Sequence, residues 1–249
     1  MKHLLATILL SSLLSAAVGF AAEPPRHLAA AIDLADHLRL EDTSYQHGEP
    51  KVTWDGGCQS HADCSGFLDA LLMHSYGYSR ADFKRWFDSH RPSARRYHDA
   101  IVAKKGFQRI ERLAEVRPGD VLAVKYLNNA DNTGHVMLVT AHPRRIAPAR
   151  PVVGRTEQWE VPIIDSSRSG HGPTDTRHRR GPDGKDHDGL GRGVLRIYSN
   201  SQGAVAGFSW STTKASKFVA PSDEHLVIGR LIPDFKPAKE QALARERNR

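Results

Sequence analysis

Hydrophobic side chains recur along the chain with two different spacings, and the change from one to the other comes near residue 119. Ala31, Leu34, Ala35 and Leu38 fall three and four residues apart, which predicts an amphipathic helix over 28–40. A polar, Gly-containing stretch over 45–62 predicts a loop. A second helix is expected from Cys64, with Phe67, Leu68, Leu71 and Leu72 on one face, Asp63 as its cap and Gly77 as its stop. Phe83, Trp86, Phe87, Tyr97, Ile101 and Val102 continue the helical interval across 79–106, with a break at Pro92. Beyond Pro118-Gly119, β-rich runs at 120–126, 135–141, 158–164, 194–198, 206–211 and 226–232 predict strands. Helices followed by strands describe one α+β domain, its N-terminal helices packed on a mainly antiparallel sheet. Between the strands, 166–192 is a long polar stretch rich in Gly, His, Asp and Arg.

The first 21 residues do not belong to that domain. Lys2 and His3 precede an apolar run from 4 to 20 that ends in Ala21-Ala22-Glu23-Pro24-Pro25, the pattern of a secretory signal peptide cleaved after Ala21. The expected location is therefore periplasmic or secreted, with no stable membrane anchor, because the run is broken by Ser11, Ser12 and Ser15 and no lipobox cysteine follows. The whole chain carries 35 Lys and Arg against 28 Asp and Glu, a net +7, and loses only Lys2 on cleavage. A mild polycation in the envelope would meet anionic membranes or acidic wall polymers. Nucleic acid is not expected, since aromatics are 7% of the chain and do not alternate with the basic residues. The tail over 236–249 mixes Lys239, Arg245, Arg247 and Arg249 with Glu240 and Glu246, and reads as a solvated, flexible end.

Candidate chemistry concentrates in Asp63-Cys64-Ser65-Gly66-Phe67. A cysteine in the first turn of a helix feels the positive end of the backbone dipole, which with a neighbouring imidazolium favours the thiolate nucleophile. Gly66 would leave room for a substrate carbonyl. His135 opens the apolar run Val136 to Val139, and strand alternation puts it on one sheet face with Met137 and Val139, expected to be the face on which the helix packs. Asp165 closes the run ending at Ile164, where a neighbouring strand could present it to the imidazole. Each has a plainer reading: a small buried cysteine, a capped structural histidine and a turn-forming aspartate. His142 is a rival partner for His135, but its odd separation points it to the opposite face.

With these segments in place the chain resembles the NlpC/P60 superfamily of papain-like cysteine hydrolases. The resemblance rests on Asp63-Cys64-Ser65-Gly66-Phe67, on Arg117-Pro118-Gly119-Asp120-Val121 leading into a strand, and on Thr133-Gly134-His135-Val136. It covers roughly 45–198 of a domain expected at 22–235, with the helical segment over 79–110 unmatched. The resemblance implies a papain-like fold and an enzyme that cleaves amides of bacterial cell-wall peptides. Cys64 would be the nucleophile, His135 the base and later acid, and Tyr45, with Ser65 beside it, the lining of the oxyanion region. The family's third residue is a His, Asn or Gln soon after the catalytic histidine, whereas Asp165 lies beyond a segment holding Pro143, Pro148 and Pro151. Peptidoglycan stem peptides are the expected partner, with Arg168 and Arg192 expected to meet their carboxylates and the bond from D-glutamate to the diamino acid the expected target. An amidase or acyltransferase on another envelope amide or ester, and a non-catalytic wall-peptide-binding module, are the alternatives.

No cofactor and no metal are expected. His171, Asp175, His178, Asp183, Asp186, His187 and Asp188 invite a metal reading, but an EF-hand register would place Gly184 and Leu195 at its first and last ligand positions. The interleaved Arg177, Arg179, Arg180 and Lys185 repel a cation, so a solvated or substrate-facing loop is expected there. Cys58 lies close enough to Cys64 for a bridge that would silence the nucleophile; a small apolar residue in the Gly56-Gly57 loop is the expectation.

Overall fold

A computed structural model describes residues 23–129, 132–178 and 186–237. The expected signal peptide and nearly all of the tail lie outside these residues, as does the 179–185 part of the polar stretch.

The chain opens with α1 (Arg26–His37), followed by three short strands, β1 (Thr43–Ser44), β2 (Lys51–Thr53) and β3 (Gln59–His61). They form a small sheet in the order β1-β3-β2, with β2 and β3 in the segment expected to be loop and β1 just before it; their polar sequences carry no apolar alternation to announce them. Next come α2 (Cys64–Tyr76), α3 (Arg80–Phe87) and α4 (Ala94–Val102), so the helical stretch after Ser79 is two helices broken around Pro92. As expected, α2 is capped by Asp63 and ends at Gly77, which takes the left-handed conformation at φ 71°.

The remaining strands are β4 (Phe107–Ile110), β5 (Val121–Tyr126), β6 (Gly134–Val139), β7 (Arg144–Ile146), β8 (Glu157–Ser167), β9 (Gly189–Ser199), β10 (Val205–Ser209) and β11 (Glu224–Leu231). They build one antiparallel sheet in the order β10-β9-β8-β6-β5-β11-β4, with β7 also on β8. β8 and β9 run longer than the apolar patterns, because each continues into the supposed loop: Ser166 and Ser167 pair with Leu190 and Gly189.

Both sheet faces are buried. Leu28, Leu34, Phe67, Leu71, Trp86, Tyr97 and Ile101 of the helices pack on Val121, Ala123, Val136, Leu138 and Ile164. Leu122, Val124, Met137, Val139, Ile163, Leu195 and Ile197 face a second core with Leu113 and Phe208. This corrects the face expected for the helices: Met137 and Val139 point away from them, and Val136 and Leu138 lie beneath. The α4 helix is tied to α2 by Tyr97, whose hydroxyl donates to Asp69 Oδ1 at 2.7 Å inside the core. Burial pushes the Asp69 carboxyl well above its ordinary pKa, against the pull of Tyr97 and Arg80.

Candidate active site

The site is built where α2 begins. Asp63 is extended, and its Oδ1 accepts the Gly66 N–H at 2.7 Å, so the helix starts at Cys64 with the Cys64 N–H in the first turn, which has no intrahelical acceptor. Ser65 Oγ donates to the same Asp63 oxygen at 3.1 Å, and His47 Nδ1 meets the other at 3.1 Å. On β8, Ser166 Oγ donates to the Ala62 carbonyl at 2.7 Å, seating the helix start on the sheet. Gly66 serves that seat rather than a substrate: a Cβ there would press on Asp63 Oδ1 at 3.1 Å and Pro50 Cβ at 3.2 Å.

Pairing between β6 and β8 covers only Leu138↔Ile164 and Val139↔Ile163. Beyond that point the strands part, and the beginning of α2 touches both. His135 thus lies beside Cys64 although it alternates with residues of the far face, near enough for the sulfur to favour a charge on the imidazole. The preceding Gly134 lies tight against the β5 backbone. Its φ is 139°, and any Cβ would fall 1.9 Å from the Val124 carbonyl oxygen.

His135 Nε2 meets Asp165 Oδ2 at 2.6 Å, leaving Nδ1 for the sulfur. Burial opposes a charge on this ring, but the Cys64 sulfur and the Asp165 carboxylate outweigh it and push the His135 pKa up to about 10. Cys64 is 5% exposed and His135 7%, both opening on a cleft of about 710 Å³. Cys58 and Cys64 are both free thiols, and the Cys58 Sγ instead points at the Trp54 carbonyl.

Asp165 is completely buried and has more partners than a simple orienter needs. His171 Nε2 shares its Oδ2 at 2.8 Å, and Arg177 donates from Nη1 at 3.1 Å and Nη2 at 2.5 Å to Oδ1. Burial by itself would raise this carboxyl; Arg177 foremost, then the two imidazoles, hold it well below the usual carboxylate range. His171 Nδ1 faces the Trp210 carbonyl at 3.0 Å, so this ring has an acceptor at each nitrogen. Asp175 receives the His171 N–H at 2.7 Å and lies 3.2 Å from Arg177 Nε.

His171 and Arg177 are the residues that sequence reasoning missed. They belong to the stretch expected to be solvated, yet His171, Asp175 and Arg177 are buried. A signal for this was present in Gly189-Leu190-Gly191-Arg192-Gly193. A Cβ at Gly191 would come within 2.7 Å of Arg177 Nη1, and one at Gly193 within 2.5 Å of Asp175 Oδ2. Alternating glycines on one face of β9 thus make the trough in which this loop lies.

Tyr45, Ser65 and Arg168 line the cleft, with the Arg168 guanidinium 5.5 Å from the Tyr45 ring centroid. Burial, with Cys64 and Asp63 nearby, raises the Tyr45 phenol, which keeps its proton at neutral pH. Arg192 does not stand there. It pairs with Asp36 at 2.7 Å and lines a separate cleft of about 210 Å³ beside α1. His142 lies on the exterior, its Nδ1 3.3 Å from the Val116 carbonyl.

The metal question also changes. The polar stretch by itself suggests no ligand set, but among the described residues the fold brings His171 to His135 and Asp165, with one ligand atom of each within 4.8 Å of the others.

No protein-family model and no solved structure matches the chain. It is 36% identical over 206 residues to an uncharacterized protein of Acanthamoeba polyphaga mimivirus, spanning 78% of this chain and 89% of that one.

Proposed function

Because the chain belongs to one family with the uncharacterized mimivirus protein, whose name assigns no activity, we propose its function from its own cleft: it is a cysteine hydrolase of the papain-like, NlpC/P60 kind. The observation that carries this reading is the convergence of Cys64, His135 and Asp165, buried on one side and open on the other to a cleft large enough for a peptide.

In the reaction, the Cys64 thiolate attacks an acyl carbon and its oxygen takes up the negative charge. The Cys64 N–H, in the unpaired first turn of α2, and the hydroxyl of Tyr45, which lines the same cleft, would donate to that oxygen. Ser65 Oγ is engaged by Asp63 and serves the cap. The C–N bond breaks as the amine leaves with the proton of His135, and a thioester remains on Cys64. Water then attacks the thioester, giving its proton to His135, and the thiolate departs with the acid product released. Asp165 keeps the imidazole ring turned so that Nδ1 faces the sulfur throughout.

The substrate reading is a peptide amide of the bacterial wall. It is supported by the resemblance of the Cys64 and His135 segments to wall hydrolases and by Arg168, a cation at the cleft mouth for a stem-peptide carboxylate. Export to the periplasm or medium is supported by the apolar run over 4–20; among the described residues no helix is long and apolar enough to cross a membrane. The test is mass spectrometry of purified peptidoglycan fragments after incubation with the protein. New termini within the stem are expected, and none with Cys64→Ala. Binding of the fragments without any cleavage would overturn the enzyme reading in favour of a binding module.

A further inference from the structure

His135, Asp165 and His171 form a second kind of site within the first. We propose that they bind a single zinc-class dication, and that this ion reversibly silences Cys64. The binding claim stands on geometry alone; the silencing claim rests on the hydrolase reading.

Two imidazole Nε2 atoms and one carboxylate oxygen converge, at 2.6 and 2.8 Å from Oδ2, a donor set suited to zinc or cobalt rather than to calcium or magnesium. The supporting contacts are those that metal-binding histidines use. His171 Nδ1 is fixed by the Trp210 carbonyl, which leaves Nε2 as its ligand atom. The second oxygen of Asp165 is occupied by Arg177, which leaves Oδ2 for the ion. A pocket of about 300 Å³, walled by Tyr126, His135, His171 and Trp210, gives the ion an entry and room for a water as a further ligand.

Charge balances in the exchange. Arg177 would repel a cation by itself, but it is matched by Asp175 at 3.2 Å, so the anion of Asp165 is not cancelled. With Cys64 as thiolate and the Nε2 protons gone from both rings, three anions and one guanidinium leave two formal negative charges in a buried cluster, which a dication neutralises. On binding, the ion takes the Nε2 position of each ring and the Nε2 protons pass to water. His135 is then pinned by the metal, keeps a proton only on Nδ1, and can no longer deliver it to a leaving group.

The experiment is titration of the full chain, first stripped with a chelator, with Co²⁺ and with Zn²⁺ alone. One equivalent of Co²⁺ should give the visible absorption of a low-coordinate site, and Zn²⁺ should displace it. X-ray absorption of the wild-type zinc form should show only nitrogen and oxygen ligands. Zinc should slow iodoacetamide labelling of Cys64 by about tenfold or more, with chelator restoring it. His171→Gln, checked for folding by circular dichroism, should weaken uptake by about tenfold or more, and Cys64→Ala should retain it. Absence of stoichiometric uptake, a sulfur ligand, or uptake lost in Cys64→Ala would overturn the site. Uptake without slower labelling would overturn the silencing. If metal-free Cys64 labels no faster than Cys58, it is the hydrolase reading that fails, and the uptake measurement still decides the site.

Discussion

Arg177 holds Asp165 by two different groups: its Nη1 lies 3.1 Å from both the main-chain carbonyl and the carboxylate Oδ1. One side chain therefore fixes where β8 presents the aspartate and how its carboxylate is turned. Replacing it with Met should leave a buried carboxylate without its cation, a loss of about 3–5 kcal/mol. Urea unfolding would measure this. A variant within 1 kcal/mol of wild type would show that the imidazoles alone support Asp165.

The two cysteines provide an internal comparison. Cys58 is more exposed than Cys64, yet burial of its sulfur raises its pKa, whereas Cys64 has a charged imidazole at hand. At pH 7, limiting iodoacetamide should label Cys64 first, as read by peptide mass mapping. His135→Ala should reverse the order.

The trough in β9 should tolerate no side chain. Gly193→Ala would drive a methyl into Asp175 and into His171 Cβ at 2.7 Å, and the expected cost is about 1–3 kcal/mol. Activity should fall further than stability explains, because the displaced loop carries His171 and Arg177. Gly154→Ala, with nothing within 4 Å, is the control.

His27 gives the stability a pH dependence. Its Nε2 donates to the Gly119 carbonyl at 2.7 Å and its Nδ1 accepts from Tyr76, and burial lowers its pKa below 6.5 despite the Gly119 bond. A folded-state value below the unfolded one means that the unfolded chain binds the proton first. The contribution of His27 is thus full above about pH 6.5 and shrinks as pH falls toward its folded value. The melting-temperature advantage of wild type over His27→Gln should accordingly be smaller at pH 5 than at pH 7. An advantage that grows on acidification would contradict the assignment.

The legibility of the fold follows from which contacts were local. Asp63, the face of α2 and Gly77 could be read because capping and amphipathic spacing act within a few residues. Six strands from Val121 onward could be read from their apolar runs, whereas β7, with Arg144 and Arg145, has none. Cys64, His135 and Asp165 stood out as residue types at element ends, and the fold brings these three together. The parts that were not legible depend on tertiary approach. The face of His135 depends on β6 parting from β8, and the burial of His171 depends on glycines some twenty residues later. Arg192 was assigned to the cleft on charge alone, and charge does not say which side of β9 a guanidinium leaves from. The polar strands β1, β2 and β3 had no period to read.

The short pairing of β6 with β8 divides the large sheet into two plates, one carrying His135 and the other Asp165, His171 and Arg177. The backbone rungs that join the plates stop at Leu138 and Ile164, and beyond that end the connection is made by side chains, His135 to Asp165. That hydrogen bond is consequently a clasp across a seam. Any force that spreads the plates, including a ligand wedged against the start of α2, is felt first as a lengthening of the contact that orients the imidazole.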